Sequence, residues 1–393
     1  MKILDRQWMT PHFLLLSIVP FLTVLFTCSG LIGLKFSPEN TEQKKDAWLT
    51  TYKNNLRHHS IDTDVLPPYK ILWDKKYKSV VTDHPLALQD YIIMTLKNGD
   101  IAFFNSKNGE KLGDGRIAPA FEHSPTIDQN VMYYGTSLGH ETLIAFNLNT
   151  LKKIWKVRLP HIYTSPLVWN ERVYVGTNIG QLFCIDQATG DKKWHFPAKA
   201  ALYGVIAEAG GRLFFTDIKG TVYCIDGLTG VNIWIKDLQP NTYSGPVLAE
   251  NKVLVGNTAG NFYALDAQSG DIVWHAETNG SIYGNAAYKD GIIYVGNNNH
   301  YLIAIETTRG EILWKFPTKG IINTAPLVGN DYVYCGSWDK TLYTLSRKTG
   351  EKMGEFVVDK PIKSSPIIYQ GHLYIHTAND HLYCLTSADK PKR

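Results

Sequence analysis

The sequence lacks most of the features that mark a catalytic or nucleic-acid-binding protein. It contains no G-x-S-x-G, H-E-x-x-H or Walker-type loop. Its net charge is only +4 over 393 residues, and charges of both signs are interspersed, which disfavours a nucleic-acid interface. Cysteine is scarce, and no two cysteines are adjacent. The 5 cysteines are Cys28, Cys184, Cys224, Cys335 and Cys384.

What the sequence does contain is a repeat of about 40 residues, which is typical of a four-stranded propeller blade or a pair of packed helices. Between Pro166 and Trp194 no apolar spacing is helical over three turns, and short β-branched and aromatic runs alternate with turn residues. The repeat is therefore predicted to be a four-stranded antiparallel sheet. Its strands are apolar on both faces, as expected when blades stack radially.

Each repeat has the same turn. In the third repeat Asp186 is followed by Gly190 and Trp194. We expect the aspartate to accept backbone N–H groups, the glycine to adopt positive φ, and the tryptophan to wedge between adjacent blades. The same aspartate recurs as Asp226 and Asp266, and other residues replace it in the remaining repeats. Because it recurs at a turn position, we interpret it as structural rather than as a calcium ligand. Gly113 and Gly354 stand where tryptophan would be.

Counting the repeats predicts an eight-bladed ring. Eight strands resemble VYVGT, but the last repeat is incomplete, and Trp73 lies about two periods before Trp155. We therefore predict that the strand carrying Trp73 completes the eighth blade, so that no sheet edge is left unpaired at the seam. The predicted blade-docking residues are Trp73, Trp155, Trp194, Trp234, Trp274 and Trp314.

The N-terminal segment predicts export or membrane anchoring. An uncharged run extends from Phe13 to Leu34, after Lys2 and Arg6. Cleavage before Cys28 would give a lipoprotein, but the preceding Leu25-Phe26-Thr27 fits a lipobox poorly. An uncleaved signal anchor is favoured because the apolar run continues past Cys28. Both alternatives place the rest of the chain in the periplasm.

The predicted organisation is therefore an anchor or signal segment (1–34), a polar spacer (35–68), an all-β propeller (69–388) and a basic tail (389–393). In the spacer, Trp48, Tyr52 and Leu56 share one helical face, which predicts either a short helix against the propeller wall or a flexible linker. Either state would let the ring stand clear of a bilayer.

The segment Ala264-Leu-Asp266-Ala-Gln-Ser269-Gly270-Asp-Ile-Val-Trp274 resembles the tryptophan-docking repeat of quinoprotein (PQQ-type) propellers. The resemblance extends over roughly residues 69–388 and implies eight blades. Such proteins include large quinone-dependent dehydrogenases and smaller cofactor-free, BamB-like outer-membrane assembly lipoproteins. The dehydrogenases resemble one another in an adjacent cysteine pair, a calcium site and long insertions between blades. This sequence has no such pair and almost no insertion in repeats three to seven, which favours a protein without enzyme activity or cofactor.

Two features are candidates for partner binding. One tyrosine column lies just before the innermost strand of four successive repeats, near the predicted channel mouth. It would either pack between blades with its hydroxyls in water or form an aromatic arc for a peptide or protein loop. Trp338 is the second candidate, because it is out of phase with the docking tryptophans. The column is Tyr163, Tyr203, Tyr243 and Tyr283.

We expect a monomeric, membrane-tethered, protein-binding scaffold of the cell envelope. The resemblance implies outer-membrane protein assembly as the process and a β-barrel assembly complex as the partner. Two alternatives remain, a quinone-binding redox or sensor protein and a carbohydrate- or peptide-ligand sensor using the channel mouth. The buried-strand cysteines are expected to be small buried side chains rather than disulfides.

Overall fold

A computed structural model describes residues 31–32, 46–77, 79–378 and 381–388. Within these ranges the secondary structure consists of 33 strands in eight antiparallel sheets, and no residue is helical. The sheets follow one another along the chain as blades 1 to 8. The predicted all-β, eight-bladed propeller of four-stranded blades is confirmed.

In each blade the chain runs from the innermost strand, at the channel, to the outermost strand, and blade 8 takes its outermost strand from the N-terminal part of the chain. From inside to outside the strands are, in blade 1, β3 (Leu86–Leu88), β4 (Tyr91–Thr95), β5 (Asp100–Asn105) and β6 (Lys111–Arg116); in blade 2, β7 (Thr126–Asp128), β8 (Val131–Gly135), β9 (Leu143–Asn147) and β10 (Lys152–Val157); in blade 3, β11 (Leu167–Trp169), β12 (Arg172–Gly176), β13 (Gln181–Asp186) and β14 (Lys192–Pro197); in blade 4, β15 (Ala207–Ala209), β16 (Arg212–Thr216), β17 (Thr221–Asp226) and β18 (Asn232–Asp237); in blade 5, β19 (Val247–Ala249), β20 (Lys252–Gly256), β21 (Asn261–Asp266) and β22 (Ile272–Glu277); in blade 6, β23 (Ala287–Lys289), β24 (Ile292–Gly296), β25 (Tyr301–Glu306) and β26 (Ile312–Pro317); in blade 7, β27 (Leu327–Val328), β28 (Tyr332–Gly336), β29 (Thr341–Ser346) and β30 (Lys352–Val357); and in blade 8, β31 (Ile367–Tyr369), β32 (His372–His376), β33 (His381–Ser387) and β2 (Tyr69–Lys76).

The ring is closed by the N-terminal strand β2, as predicted. It pairs antiparallel with β33, and Trp73 lies opposite Cys384. Blade 1 has an additional outer strand, β1 (Leu31–Ile32), which pairs with β6 at Asp114 and Gly115. These two residues belong to the apolar run interpreted as an anchor. The rest of that run and Cys28 lie outside the described residues.

Each docking tryptophan follows a β-bulge and crosses to the next blade. In blade 5 the register shifts before Trp274, whose Nε1 donates to the carbonyl of Thr307 at 2.7 Å. The indole lies on Gly310, where a Cβ would come within 2.5 Å of the ring. The glycine column therefore has two causes, positive φ and close approach of the indole. The equivalent bonds run from Trp73 to Ser106, Trp155 to Gln187, Trp194 to Leu228, Trp234 to Ala267 and Trp314 to Arg347.

The two blades without a docking tryptophan contact the next blade in other ways. In blade 1 Gly113 stands at the tryptophan position. The turn of blade 2 that would face this indole carries Leu151, with φ 54, where blades 1 and 3 to 7 have glycine. At the end of blade 7 the N-terminal chain takes the place of the indole. A Cβ on Gly354 would lie 2.4 Å from the Cβ of Pro67.

The described part of the predicted spacer, residues 46–68, is neither a short helix nor a linker that stands clear of the ring. Residues 46–61, which we call the plug, lie irregularly inside the channel. Trp48 is fully buried, pairs with Ala87 of blade 1 and donates its Nε1 to Ile368 of blade 8 at 2.8 Å. Ser60, at the other end of the plug, forms a bridge with Val328 of blade 7.

The plug follows the channel wall blade by blade. Its carbonyl groups accept an N–H from the innermost strands of six blades, namely blades 1, 2, 4, 5, 6 and 7, and these strands are the inner edges of the sheets. An unpaired edge N–H inside the channel would carry a desolvation cost, and this explains why the segment packs here. These bonds join Trp48 to Ala87, Leu49 to Ile127, Asn55 to Glu208, Leu56 to Leu248, His58 to Tyr288 and His59 to Val328.

Candidate functional site

The two mouths of the channel differ. The plug covers the mouth at which the innermost strands end. Its hydrogen bonds extend into the channel as far as the ring of residues that lie two positions before each innermost strand, which includes His84 and Ser165. The residues that precede this ring, at the start of each innermost strand, form the opposite mouth, which we call the open mouth. Its defining column is Thr82, Glu122, Tyr163, Tyr203, Tyr243, Tyr283, Asn323 and Lys363.

The predicted tyrosine column lies at the open mouth and forms two neighbouring pairs. The ring centroids of Tyr163 and Tyr203 are 4.7 Å apart, and those of Tyr243 and Tyr283 are 5.5 Å apart in a stacked arrangement. Tyr243 is 39% exposed and Tyr283 is 40% exposed, whereas the first pair is half-buried. Partial burial raises the pKa of Tyr203. The arc therefore presents aromatic surface to solvent instead of being buried between blades.

Trp338 lies on the same face as the tyrosines. It is 37% exposed, and Lys363 Nζ lies 4.0 Å from its ring centroid in a cation–π contact. Its backbone N–H donates to Ile321 at 3.1 Å, which fixes the turn. Lys363 thus covers part of the indole and leaves one edge to solvent.

Two further apolar side chains of the open mouth were missed by the sequence analysis. Leu138 is 53% exposed and Ile179 is 61% exposed, in equivalent turns of blades 2 and 3. The same turn position is Asn98, Lys219 or Asn299 in other blades. A large apolar residue at a turn position that is polar in blades 1, 4, 6 and 7 and Ala259 in blade 5 was the available signal.

The interior of the plugged mouth is a buried polar cluster. Arg57 donates from Nε to Ile206 at 2.8 Å and from Nη1 to the carbonyl of Thr51 at 2.7 Å. Burial lowers the pKa of Arg57 to about 10 and that of His59 to about 3. His84 accepts the N–H of Tyr52 at 2.9 Å. These side chains position the plug and show no nucleophile beside a base.

An ion pair supports this cluster from blades 1 and 2. His123 Nδ1 lies 3.0 Å from the Asp83 carboxylate, which also accepts the N–H of Ser124 at 2.8 Å. Burial opposes the charge on Asp83, but His123 and the Ser124 N–H together bring its pKa down to about 2. The pKa of His123 is raised by the same carboxylate, against the effect of burial. The Asp83 carboxylate also acts on Arg57, whose pKa it raises against the effect of burial.

On its plugged side the channel is filled by side chains of the chain itself, which leaves no space there for a bound quinone. A ring of blades offers its enclosed space along the axis, and Tyr52, Arg57 and His59 occupy that space from the plugged side. No three His, Cys, Asp or Glu side chains come together as metal ligands within the described ranges. The repeated aspartates are turn residues, as predicted. Asp266, for example, accepts the N–H groups of Gln268 and Ser269 at 2.8 and 2.9 Å.

The cysteines have the predicted environment wherever the structure describes them. These four residues are buried and free, and three of them pack in the same strand position of different blades. Burial raises the pKa of Cys224 and Cys384 to about 12. They therefore behave as small apolar residues rather than as nucleophiles.

Comparison with known families gives a match over most of the propeller. Residues 97–204, 197–286 and 277–353 match the family model described as "Outer membrane protein assembly factor BamB". Among individual proteins, the chain is 27% identical over 153 residues to an uncharacterized protein of Rickettsia prowazekii, in a match that covers 34% of the chain and 35% of that protein. It is 25% identical over 127 residues to the outer membrane protein assembly factor BamB of Burkholderia pseudomallei, covering 32% of each. The chain thus spans about a third of the length of the curated relatives it matches.

Solved structures show the same fold. The structure of BamB from Moraxella catarrhalis superposes with a TM-score of 0.69 at 17% identity and covers 83% of the chain and 100% of that structure. A europium-containing methanol dehydrogenase superposes with a TM-score of 0.76 at 12% identity and covers 87% of the chain and 98% of that structure. At these identities the superpositions show the fold alone. No membrane-crossing helix is found among the described residues.

Proposed function

The chain belongs to the family of the outer membrane protein assembly factor BamB, and from this premise we propose that it is a non-enzymatic, membrane-tethered, protein-binding scaffold of the cell envelope. The proposed process is outer membrane protein assembly, with a β-barrel assembly complex as the partner and the propeller in the periplasm. The names of the family and of the relative from Burkholderia pseudomallei support this process.

One observation carries the binding role, namely the contrast between the two channel mouths. The plug fills one mouth. The other displays five exposed aromatic or aliphatic side chains next to polar groups of the same mouth. Exposed apolar surface with a polar rim is typical of protein interaction sites, and tyrosine and tryptophan are favoured there. The exposed residues are Leu138, Ile179, Tyr243, Tyr283 and Trp338.

The polar part of the open mouth supports the same role. Glu122 accepts the Ser137 hydroxyl at 2.9 Å and lies 3.4 Å from Lys97 Nζ. Its charge is therefore held in one orientation at the edge of the apolar arc. A charged rim of this kind orients a bound protein loop, while the aromatic arc supplies most of the buried area.

The test is a pull-down from detergent-solubilised envelope membranes, with mass spectrometry of the bound proteins. Wild-type protein should recover components of a β-barrel assembly complex. A Tyr243→Ala/Ile179→Ser variant should lose them, and a Leu228→Ser variant, altered at a 43% exposed turn on the plug side of the ring, should retain them. Equal recovery by all three proteins would remove the open mouth from the proposal.

The tether is proposed to be the apolar run that begins at Phe13, without cleavage before Cys28. N-terminal sequencing and intact-mass measurement of protein purified from membranes test this point. An intact N-terminus and unchanged membrane attachment of a Cys28→Ser variant are expected. A mature chain that begins at a lipid-modified Cys28 would establish the lipoprotein alternative instead.

The alternative of a quinone-binding redox or sensor protein is tested by the melting temperature. A ligand that binds only the folded state stabilises it by about 2.7 kcal/mol at a hundredfold excess over its dissociation constant. Adding PQQ with Ca²⁺ is expected to leave the melting temperature unchanged, because plug side chains occupy the channel. A clear upward shift would favour the cofactor-binding alternative.

A further inference from the structure

On the plug side, adjacent blades are separated by crevices, and the last residue of each innermost strand stands at the entrance to one of them. Two crevices are filled by a large aromatic side chain of the chain itself. Trp169 lies against Gly211 and Gly227 of blade 4. Tyr369 is fully buried between blades 8 and 1 and donates its hydroxyl to Gln89 at 2.6 Å. The repeat thus builds crevices of a size that accepts an aromatic ring.

Polar side chains of the ring occupy two further crevices. Between blades 2 and 3 the Gln187 amide donates to Asp128 at 2.7 Å and spans the gap. Between blades 5 and 6 the Glu250 carboxylate accepts the hydroxyls of Tyr288 at 3.1 Å and Thr307 at 2.7 Å. Both hydrogen bonds join neighbouring blades. Between blades 2 and 3 a cavity of about 680 Å³ remains beside Gln187, and its lining includes the carboxylates of Asp128, Glu171 and Asp186.

Apart from the crevice between blades 4 and 5, the remaining crevices are closed by residues that follow the plug in the chain or by core packing. Lys289 reaches Asp62 at 2.9 Å between blades 6 and 7. Asp64 lies against Gly329 between blades 7 and 8. Leu88 and Leu148 belong to one buried cluster between blades 1 and 2.

The crevice between blades 4 and 5 is also open among the described residues, and its surface is largely apolar, unlike that of the crevice between blades 2 and 3. Its entrance residue is Ala209, and the cavity behind it has a volume of about 500 Å³. Asn251 and Ala267 line it, and they are the residues one repeat after Gly211 and Gly227, which Trp169 contacts. The cavity therefore lies where an indole lies in the preceding seam.

A second difference between the repeats enlarges this cavity. In blade 3 the Tyr174 hydroxyl donates to the carbonyl of Gly227 at 2.9 Å across the seam. Blade 4 has Phe214 at the matching position, which has no hydroxyl to reach across. Arg212 Nη1 instead donates to the carbonyl of Ala267 at 3.3 Å, so a guanidinium stands at the edge of the cavity.

We propose that this crevice is a binding site for an aromatic side chain carried on an acidic segment of a partner protein. The aromatic preference follows from Trp169 and Tyr369, which fill the equivalent spaces. The acidic preference follows from Arg212 at the rim, because the other cation of the lining, Lys252, already pairs with Glu250 at 3.5 Å. No salt bridge of Arg212 is found within the described residues, where its charge acts on Asp266 of the next blade. Arg212 can therefore also pair with a carboxylate of the partner.

The site is independent of the open mouth, because it lies on the opposite face of the ring. His58 and Leu56 of the plug form part of its wall, and the His58 ring lies 4.9 Å from that of Tyr288. The plug thus completes a second, smaller binding surface while it closes the channel. This inference goes beyond the proposed scaffold role, and failure of either leaves the other standing.

The test uses the full chain in detergent and two synthetic peptides, acetyl-Gly-Asp-Trp-Asp-Gly-amide and its alanine analogue, with binding measured by calorimetry. The tryptophan peptide should bind at least about tenfold more tightly than the alanine peptide, as expected for an aromatic anchor. Ala209→Trp should fill the crevice from within, leave the melting temperature unchanged or raised, and abolish binding. An asparagine analogue of the peptide should bind more weakly to the wild type, and Arg212→Gln should remove that difference.

Matched variants keep the test decisive. Trp169→Ala opens the equivalent crevice in the preceding seam and should add a second site for the tryptophan peptide, and free indole should raise the melting temperature of this variant. If Ala209→Trp does not fold, Ala209→Leu serves as the smaller filling variant. Undiminished binding to a folded Ala209 variant would overturn the proposal. Loss of binding in Tyr243→Ala, or binding of the tryptophan and alanine peptides with equal affinity, would overturn it as well.

Discussion

At the scale of the residue, the fold depends on an indole that meets a glycine of the next blade. The Asp turn, the positive φ of the glycine and the wedging tryptophan could all be predicted from a single repeat. The contact between Trp234 and Gly270 could not, because the two residues belong to neighbouring blades and the repeat alone does not say which turn faces which ring. Leu151 shows the converse, since its seam has no indole and its turn has no glycine.

The two roles of the seam glycine can be separated by one pair of variants. Gly270 has φ +75 and a Cβ there would lie 2.6 Å from Trp234, whereas Gly371 has φ +73 and nothing within 4 Å. Gly371→Ala should lower the free energy of unfolding by about 1–2 kcal/mol through backbone strain alone. Gly270→Ala should cost about 1–3 kcal/mol more, because the indole must move. Urea denaturation measures both, and equal losses would show that the indole contact contributes nothing.

At the scale of the element, β2 was predicted and the plug was not. The strand carries a docking tryptophan in phase with the repeat, so its place followed from the count of blades. Residues 46–61 have no period of 2 or 3.6, because their partners are edge N–H groups on six different strands. Trp48, Tyr52 and Leu56 share a helical spacing only by coincidence, and each faces a different blade or the axis.

Truncation tests both elements in one series. A chain starting at residue 46 keeps the plug, one starting at residue 67 loses it, and one starting at residue 77 also loses β2. The melting temperature should fall at each step. Removal of Trp48 alone, fully buried in the core, should cost about 3–5 kcal/mol, and loss of β2 exposes the edge of β33. Equal melting temperatures for the first two chains would contradict the role of the plug, and equal values for the last two would contradict closure by β2.

The plug also makes the stability of the molecule dependent on pH. Burial among Trp48, Tyr52 and His84 holds the pKa of His59 at about 3, against 6.5 in an unfolded chain. Between these values the unfolded state binds a proton that the folded state does not. Stability should therefore fall as pH decreases from 6.5 towards 3, by up to about 1.4 kcal/mol per pH unit from this group.

The pH prediction is checked by chemical denaturation between pH 7 and pH 4.5. His59→Gln should show a shallower loss of stability than the wild type, and His195→Gln, altered on the exposed face of an outer strand, should not. Asp83, with a pKa near 2, adds its own loss only below 3.8. The raised pKa of His123 acts in the opposite sense above 6.5, where its stabilisation is lost as pH rises. Parallel curves for the wild type and His59→Gln would contradict the prediction.

At the scale of the whole molecule, the sequence predicted the ring and its closure but not the difference between its faces. Residues 40 apart occupy equivalent places in successive blades. The repeat therefore predicts which side chains lie at a channel mouth, and the tyrosine column could be placed. Which mouth is filled depends on where an irregular segment packs, and a repeat pattern contains no information about that. The same limit explains why the apolar crevice between blades 4 and 5 is recognised only when all eight boundaries between blades are compared.

The last prediction separates packing from binding at the open mouth. Tyr243→Ala should lower the free energy of unfolding by less than about 1 kcal/mol, because its ring is already 39% exposed. Tyr294→Ala, at a fully buried ring that bonds Arg347 in the next blade at 3.3 Å, should cost about 3–5 kcal/mol. Partner recovery per folded molecule should show the reverse order, with a loss of 1 kcal/mol or more for Tyr243→Ala and none for Tyr294→Ala. Thermal melts and pull-downs on the same two proteins give both quantities. If Tyr243→Ala is strongly destabilising but binds normally once folded, the column serves only to pack blades, and Trp338 with Ile179 becomes the part of the mouth to test next.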